Sequence, residues 1–158
     1  MILLLLSGEN GRKKCRDPKY AEAEPFHQRA LRIREHQAGP EDPLVAASLN
    51  GLALLYQAQG KYTEAEPLFK RALHIQEQQL GPEHPETAEV QHDFAGFQLA
   101  QGKSLEAAVL YQRALMTREH VFGPDHPMTT DTYERLHTVL VALERVEEAA
   151  MERSQPEP

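Results

Sequence analysis

Cysteine is nearly absent from this 158-residue chain, and the single Cys15 can form neither an internal disulfide nor a cysteine-based zinc site. A disulfide-built secreted scaffold is thereby excluded, and a reducing, cytoplasmic setting is expected. Aromatic residues supply only 6% of the chain, so a core has to be assembled mainly from Leu and Ala, which favours helices. Excess basic charge is missing too: 17 Lys and Arg face 24 Asp and Glu, for a formal net charge of −7. No basic face is concentrated enough for a nucleic-acid partner. The apolar run Met1–Leu6 is far shorter than the ~18 residues of a membrane span. It also lacks the order of a secretory signal, because Arg12, Lys13, Lys14 and Arg16 follow it instead of preceding it. Residues 1–19 therefore read as a degenerate or disordered segment: a mis-assigned start, an expression remnant or a decayed first helix.

What the chain does have is a repeat. Tyr20-Ala21-Glu22-Ala23-Glu24-Pro25 returns as Tyr62-Thr63-Glu64-Ala65-Glu66-Pro67 and, more weakly, as Ser104-Leu105-Glu106-Ala107-Ala108-Val109, each 42 residues on. Arg29-Ala30-Leu31, Arg71-Ala72-Leu73 and Arg113-Ala114-Leu115 keep the same step, as do Gly39-Pro40, Gly81-Pro82 and Gly123-Pro124. Three copies follow, at 20–61, 62–103 and 104–145, with a truncated last helix and frayed tail over 146–158. Each copy reads as two helices. From Tyr62 to Leu80, Ala65, Leu68, Phe69, Ala72 and Leu73 form one stripe of a 3.6-residue period, and Gly81-Pro82 ends it. The partner helices open at Pro43 and Pro85, and Gly60 is placed to stop the first in a left-handed cap. Pro25 and Pro67 are expected near their helix starts, where a missing N–H costs least.

The phrase Leu52-Ala53-x-x-Tyr56-x-x-x-Gly60-x-Tyr62-x-x-Ala65-x-x-x-Phe69-x-x-Ala72-Leu73 resembles the tetratricopeptide repeat signature. The 42-residue period, with Ala-Glu-Pro-Leu, Arg-Ala-Leu-x-Ile and Leu-Gly-Pro-Glu-His-Pro, is similar to the kinesin-light-chain type, which also occurs in nephrocystin-like and bacterial signalling proteins. The resemblance implies an all-α fold, a right-handed α-solenoid of antiparallel helix pairs, over residues 20–145. The third copy departs from the pattern: His137 replaces the small Ala, Leu140 the Tyr and Glu144 the helix-ending Gly. Forty-two residues before the first complete pair, Ser7, Asn10, Gly11 and Lys14 stand where a first helix needs apolar or small residues.

Such arrays are binding modules, so the resemblance implies a scaffold whose first helices line a concave groove for a peptide or partner helix. The family's inward-facing positions fall on Asn50, Leu54 and Gln57, then His92, Gly96 and Leu99, then Asp131, Glu134, Arg135 and Thr138. Only Asn50 matches the cationic and amide clamp that holds chaperone tails, and Glu89, Asp93, Asp131 and Glu134 would repel an acidic cargo peptide. A basic or apolar peptide is the expected partner, without nucleic acid or membrane. The alternative is a largely structural segment of a larger signalling protein, for example the sensor part of a regulatory ATPase. The terminal helices, with Ala23, Phe26, Ala30 and Leu31 on the first, open a route to self-association.

Catalysis, cofactors and metals find no motif. His84 and His126 fall in the turns before Pro85 and Pro127, where the first copy has Asp42, and His27, His74, His92 and His120 lack a metal-binding spacing. Glu22/Glu24 and Glu64/Glu66 read as helix-start acids that favour the dipole. No phosphate-cradling glycine loop, nucleophile elbow or Cys/His dyad is present in the sequence.

Overall fold

A computed structural model describes residues 18–154, with side chains from Lys19 to Met151. The described residues form helices α1 (Pro18–Ala38), α2 (Pro43–Ala58), α3 (Tyr62–Gln79), α4 (Pro85–Ala100), α5 (Ser104–Phe122) and α6 (Pro127–Ser154), with no strand. The segment Met1–Leu6 lies outside the described residues.

Helix starts follow from capping chemistry. The Asp42 carboxylate accepts the Leu44 backbone N–H at 2.8 Å, and Pro43 fills the first helical position of α2. Histidine does the same at the two later starts: His84 Nδ1 accepts from Glu86 N–H, and His126 Nδ1 from Met128 N–H, both at 3.2 Å. This is the turn role expected for these two histidines. Helix ends follow from glycine. Gly60 and Gly102 adopt φ of 75° and 77°, a left-handed conformation that a Cβ disfavours, and close α2 and α4. The third copy has Glu144 at this position, and α6 runs through it without a break as far as Ser154.

Two expectations shift in detail. Helix α1 begins at Pro18, ahead of Tyr20, so Pro25 lies inside it and Glu22 and Glu24 are past its first turn. Pro67 likewise lies inside α3, while Glu64 does occupy that helix's first turn.

The chain divides into two compact units, residues 1–81 and 82–158. In the first, α2 packs against both α1 and α3. Its core is mainly apolar: Val45, Ala46, Leu49 and Ala53 of α2 and Ala65, Phe69, Ala72 and Ile75 of α3 are fully buried, with Gln76, Ser48 and Asn50 buried beside them. In the second, α5 packs against both α4 and α6, and the core mixes Ala88, Ala95, Phe97, Tyr111 and Val139 with buried Thr87, Gln91, Gln98 and Thr132.

Candidate functional site

The expected groove residues of the first unit form a stripe on α2 at positions i, i+4 and i+7. Asn50 is only 6% exposed and already engaged within the fold, whereas Leu54 is 39% exposed. Gln57 is half-buried, and its Oε1 is a buried acceptor with no hydrogen-bond partner among the described residues. Leu54 therefore presents an apolar contact on this face, while Gln57 Oε1 is shielded from solvent.

In the second unit, the structure gathers several of the expected residues into one polar cluster. His92 on α4 meets Asp131 on α6, Nε2 to Oδ2, at 3.2 Å, and its Nδ1 lies 3.1 Å from Thr132 Oγ1. This pairing fits the neutral tautomer that donates from Nε2 to the carboxylate. Arg135 donates from Nε to both carboxylate oxygens of Asp131 at 3.2 Å, one turn along α6. The Tyr111 ring of α5 stands edge-on to His92, with centroids 5.3 Å apart, and its buried hydroxyl has no hydrogen-bond partner among the described residues. Gly96 explains how the tyrosine fits. A Cβ there would come within 3.3 Å of the Tyr111 hydroxyl, so the bare backbone of α4 admits it. The remaining three positions stay outside the cluster. Leu99 is 37% exposed, and Glu134 and Thr138 are solvated, with the threonine hydroxyl donating to the Glu134 carbonyl at 2.8 Å.

The cluster changes the electrostatics expected of this face. Asp131 does not present a free negative charge, because Arg135 and His92 both engage it. His92 is pushed down to about 4, first by burial and then by the nearby positive charge of Arg118, so it is neutral at pH 7.

One further arrangement went unread in the sequence. Arg118, 3% exposed, donates from Nη1 to the Met128 carbonyl at 3.1 Å and to Thr132 Oγ1, pinning the last turns of α5 to the start of α6. Arg34 makes the same two bonds at the other end of the chain, to the Leu44 carbonyl at 3.3 Å and to Ser48 Oγ. The two sets lie two repeat lengths apart, so the 42-residue register pointed to them. The signal was an arginine paired with a hydroxyl residue fourteen positions later. A second clasp joins α1 to the end of α2: Lys61 Nζ contacts Glu24 at 2.7 Å, and Gln59 donates to the Tyr20 carbonyl at 3.1 Å. The Lys61 hydrogen bond, ahead of the opposing cost of desolvation, holds Glu24 below the ordinary carboxylate range.

Among the described residues no group of three or more His, Cys, Asp or Glu side chains converges on a metal-sized site, and no helix is long and apolar enough to cross a membrane.

A family model for the tetratricopeptide repeat matches residues 11–78 and 45–119, together more than half of the chain. The chain belongs to the tetratricopeptide repeat family. Repeats of this family are generally protein–protein interaction modules on a typically non-enzymatic scaffold. Solved structures agree on the fold. A Podosopora anserina protein of kinesin light chain type, with nearly identical TPR-like repeats, shares 25% identity at a TM-score of 0.75, over 94% of this chain and 75% of that one. A variant of the same protein gives 27% and 0.74, over 89% and 66%. BtubC (BKLC) from P. vanneervenii, at 22% identity, gives 0.72 over 89% and 61% and bears on the fold alone. The three structures confirm the all-α helical-repeat solenoid class, and the two from Podosopora anserina the kinesin-light-chain-like type of repeat. The chain spans 66% and 61% of the length of the latter two. Among curated proteins no relative matches.

Proposed function

We propose that the chain is a cytoplasmic scaffold that takes a basic or apolar peptide, or a partner helix, on the exposed faces of its first helices. The observation that carries this reading is the α2 stripe, where exposed Leu54 adjoins the half-buried Gln57. An apolar side chain of the ligand covers the leucine, and the half-buried Gln57 side chain borders that contact. Glu89 and Glu134 are exposed acids on α4 and α6 that favour Lys or Arg in the ligand, while Asp131 contributes less because Arg135 already engages it. The likeness to kinesin-light-chain-type repeats supports a recruiting role and does not extend to an acidic cargo.

The test is binding of the purified chain to arrayed acidic, basic and apolar peptides at low and high salt. Binding to basic or apolar peptides, lost on Gln57→Ala and Leu54→Ala, is the expected result; preference for acidic peptides overturns it. A second reading, a structural segment of a larger signalling protein, is favoured by the partial coverage of the longer neighbours. Absence of any peptide binding at either salt would select it.

A further inference from the structure

The two units are complementary fragments of the repeat. Counting by register, α2, α4 and α6 are first helices and α1, α3 and α5 are second helices. The first unit is thus second–first–second, and the second unit first–second–first. Among the described residues each has one outer helix without its own pair partner.

On α6 the bare face is identifiable position by position. Its counterpart α2 is packed on both sides, and Ala46, Leu49 and Ala53 are fully buried there. Two repeats on, the equivalent residues of α6 are Thr130, Tyr133 and His137, all exposed, followed by Leu140 where α2 has Tyr56. Tyr133 is 54% and Leu140 44% exposed, and they line a shallow groove with Leu115 and His137. On α1 the bare face is equally explicit. Its counterpart α5 packs on two helices, and Leu110 and Thr117 are buried to 9% and 5%. The equivalent residues of α1, Phe26 and Ile33, are 74% and 44% exposed, because within its unit α1 packs mainly on α2 and meets α3 through the Glu35–Arg71 ion pair at 2.8 Å.

We propose that α1 of one copy docks on α6 of another, so that the two outer helices complete one repeat pair between molecules. Among the described residues the α6 face has no second helix and α1 is a second helix with no first helix beside it, in the same 42-residue register. Charge supports this occupant. In the antiparallel arrangement of such a pair, the start of α1 lies beside the far half of α6, where Glu144, Glu147 and Glu148 are exposed. Lys19, exposed at the start of α1, carries the opposite sign to that acidic stretch. The contact is heterologous, using different patches on the two molecules, so it propagates head to tail unless rotation closes it.

The experiment is sedimentation of the full chain from micromolar to near-millimolar concentration, with Phe26→Glu and Leu140→Glu as variants. Both positions are exposed, and unchanged far-ultraviolet circular dichroism checks that the variants fold. The expected result is a wild-type mass that rises with concentration, each variant monomeric alone, and a one-to-one mixture of the two forming a dimer. That mixture retains one intact α1 face and one intact α6 face. A wild-type chain that stays monomeric throughout overturns the proposal. So does a single variant that still associates by itself, which would indicate pairing of like faces, or a mixture that remains monomeric.

Discussion

At equivalent, deeply buried positions the two units make opposite choices. Where the first has Val45, Leu49, Phe69 and Ile75, all fully buried, the second has Thr87, Gln91, Tyr111 and Thr117, none more than 5% exposed. One backbone pattern thus accepts an apolar filling and a partly polar one of similar volume. The polar filling leaves Gln91 Oε1, Gln98 Oε1 and Thr129 Oγ1 buried without hydrogen-bond partners among the described residues. Each such atom is costly to keep dry, and the first unit carries the same kind of cost at Gln57 Oε1 and Gln76 Oε1, so the two cores differ in their filling rather than in freedom from unpaired acceptors. The small residues Ala53, Ala65 and Ala72, and their counterparts Ala95, Ala107 and Ala114, are buried in both, and they set how closely the helices approach.

The largest expected effect lies in the apolar core. Phe69→Ala should destabilise the first unit by about 3–5 kcal/mol through the cavity it leaves, seen as faster amide exchange across α2 and α3 in hydrogen-exchange mass spectrometry. If exchange in α4–α6 accelerated as much as in α2 and α3, the two-unit description would fail.

Next come the paired arginine clasps. Arg118→Ala removes a buried charged donor to two acceptors and should cost about 1.5–3 kcal/mol, while Arg34→Ala, at an exposed position, should cost roughly 0.5–1 kcal/mol. Urea titrations of the two variants measure the difference, and equal losses would show that burial does not separate the clasps.

The third effect is a pH response confined to the second unit. An unfolded chain protonates His92 near 6.5, whereas the folded one holds it neutral down to about 4. Below neutrality the unfolded state therefore binds the extra proton, so stability falls as pH drops from 6.5 towards 4 and levels off beneath it. Thermal melts across that range should lose a few degrees in the native chain, and His92→Gln should flatten this contribution. The smallest change is a gain: Gln91→Leu restores the residue found at Leu49 and removes a buried unpaired acceptor, adding about 1 kcal/mol by urea titration.

The helices were legible because their signals are local and recur. Pro43 and Pro85 after a capping residue, glycine at 60 and 102, and apolar residues at helical spacing each act within a turn or two. The start of α1 at Pro18 was not legible, since its counterpart Tyr62 begins a helix only because Gly60 and Lys61 precede it. The candidate site was half legible. Register placed His92, Asp131 and Arg135 on neighbouring first helices, but whether Asp131 meets solvent or an arginine depends on rotamers and on the room that Gly96 leaves for Tyr111. Net charge counted along the sequence overstated the acidity of that face for this reason.

The passage of α6 through Glu144 carries a consequence in helix–coil terms. An isolated helix of about ten residues is marginal in water because its first turn is expensive to nucleate. The turns of α6 around the buried Thr129, Thr132, Leu136 and Val139 supply that nucleus, so the stretch from Glu144 to Ser154 has only to propagate from it. Its helicity is on loan from the packed part. This stretch should melt before either core gives way as temperature rises.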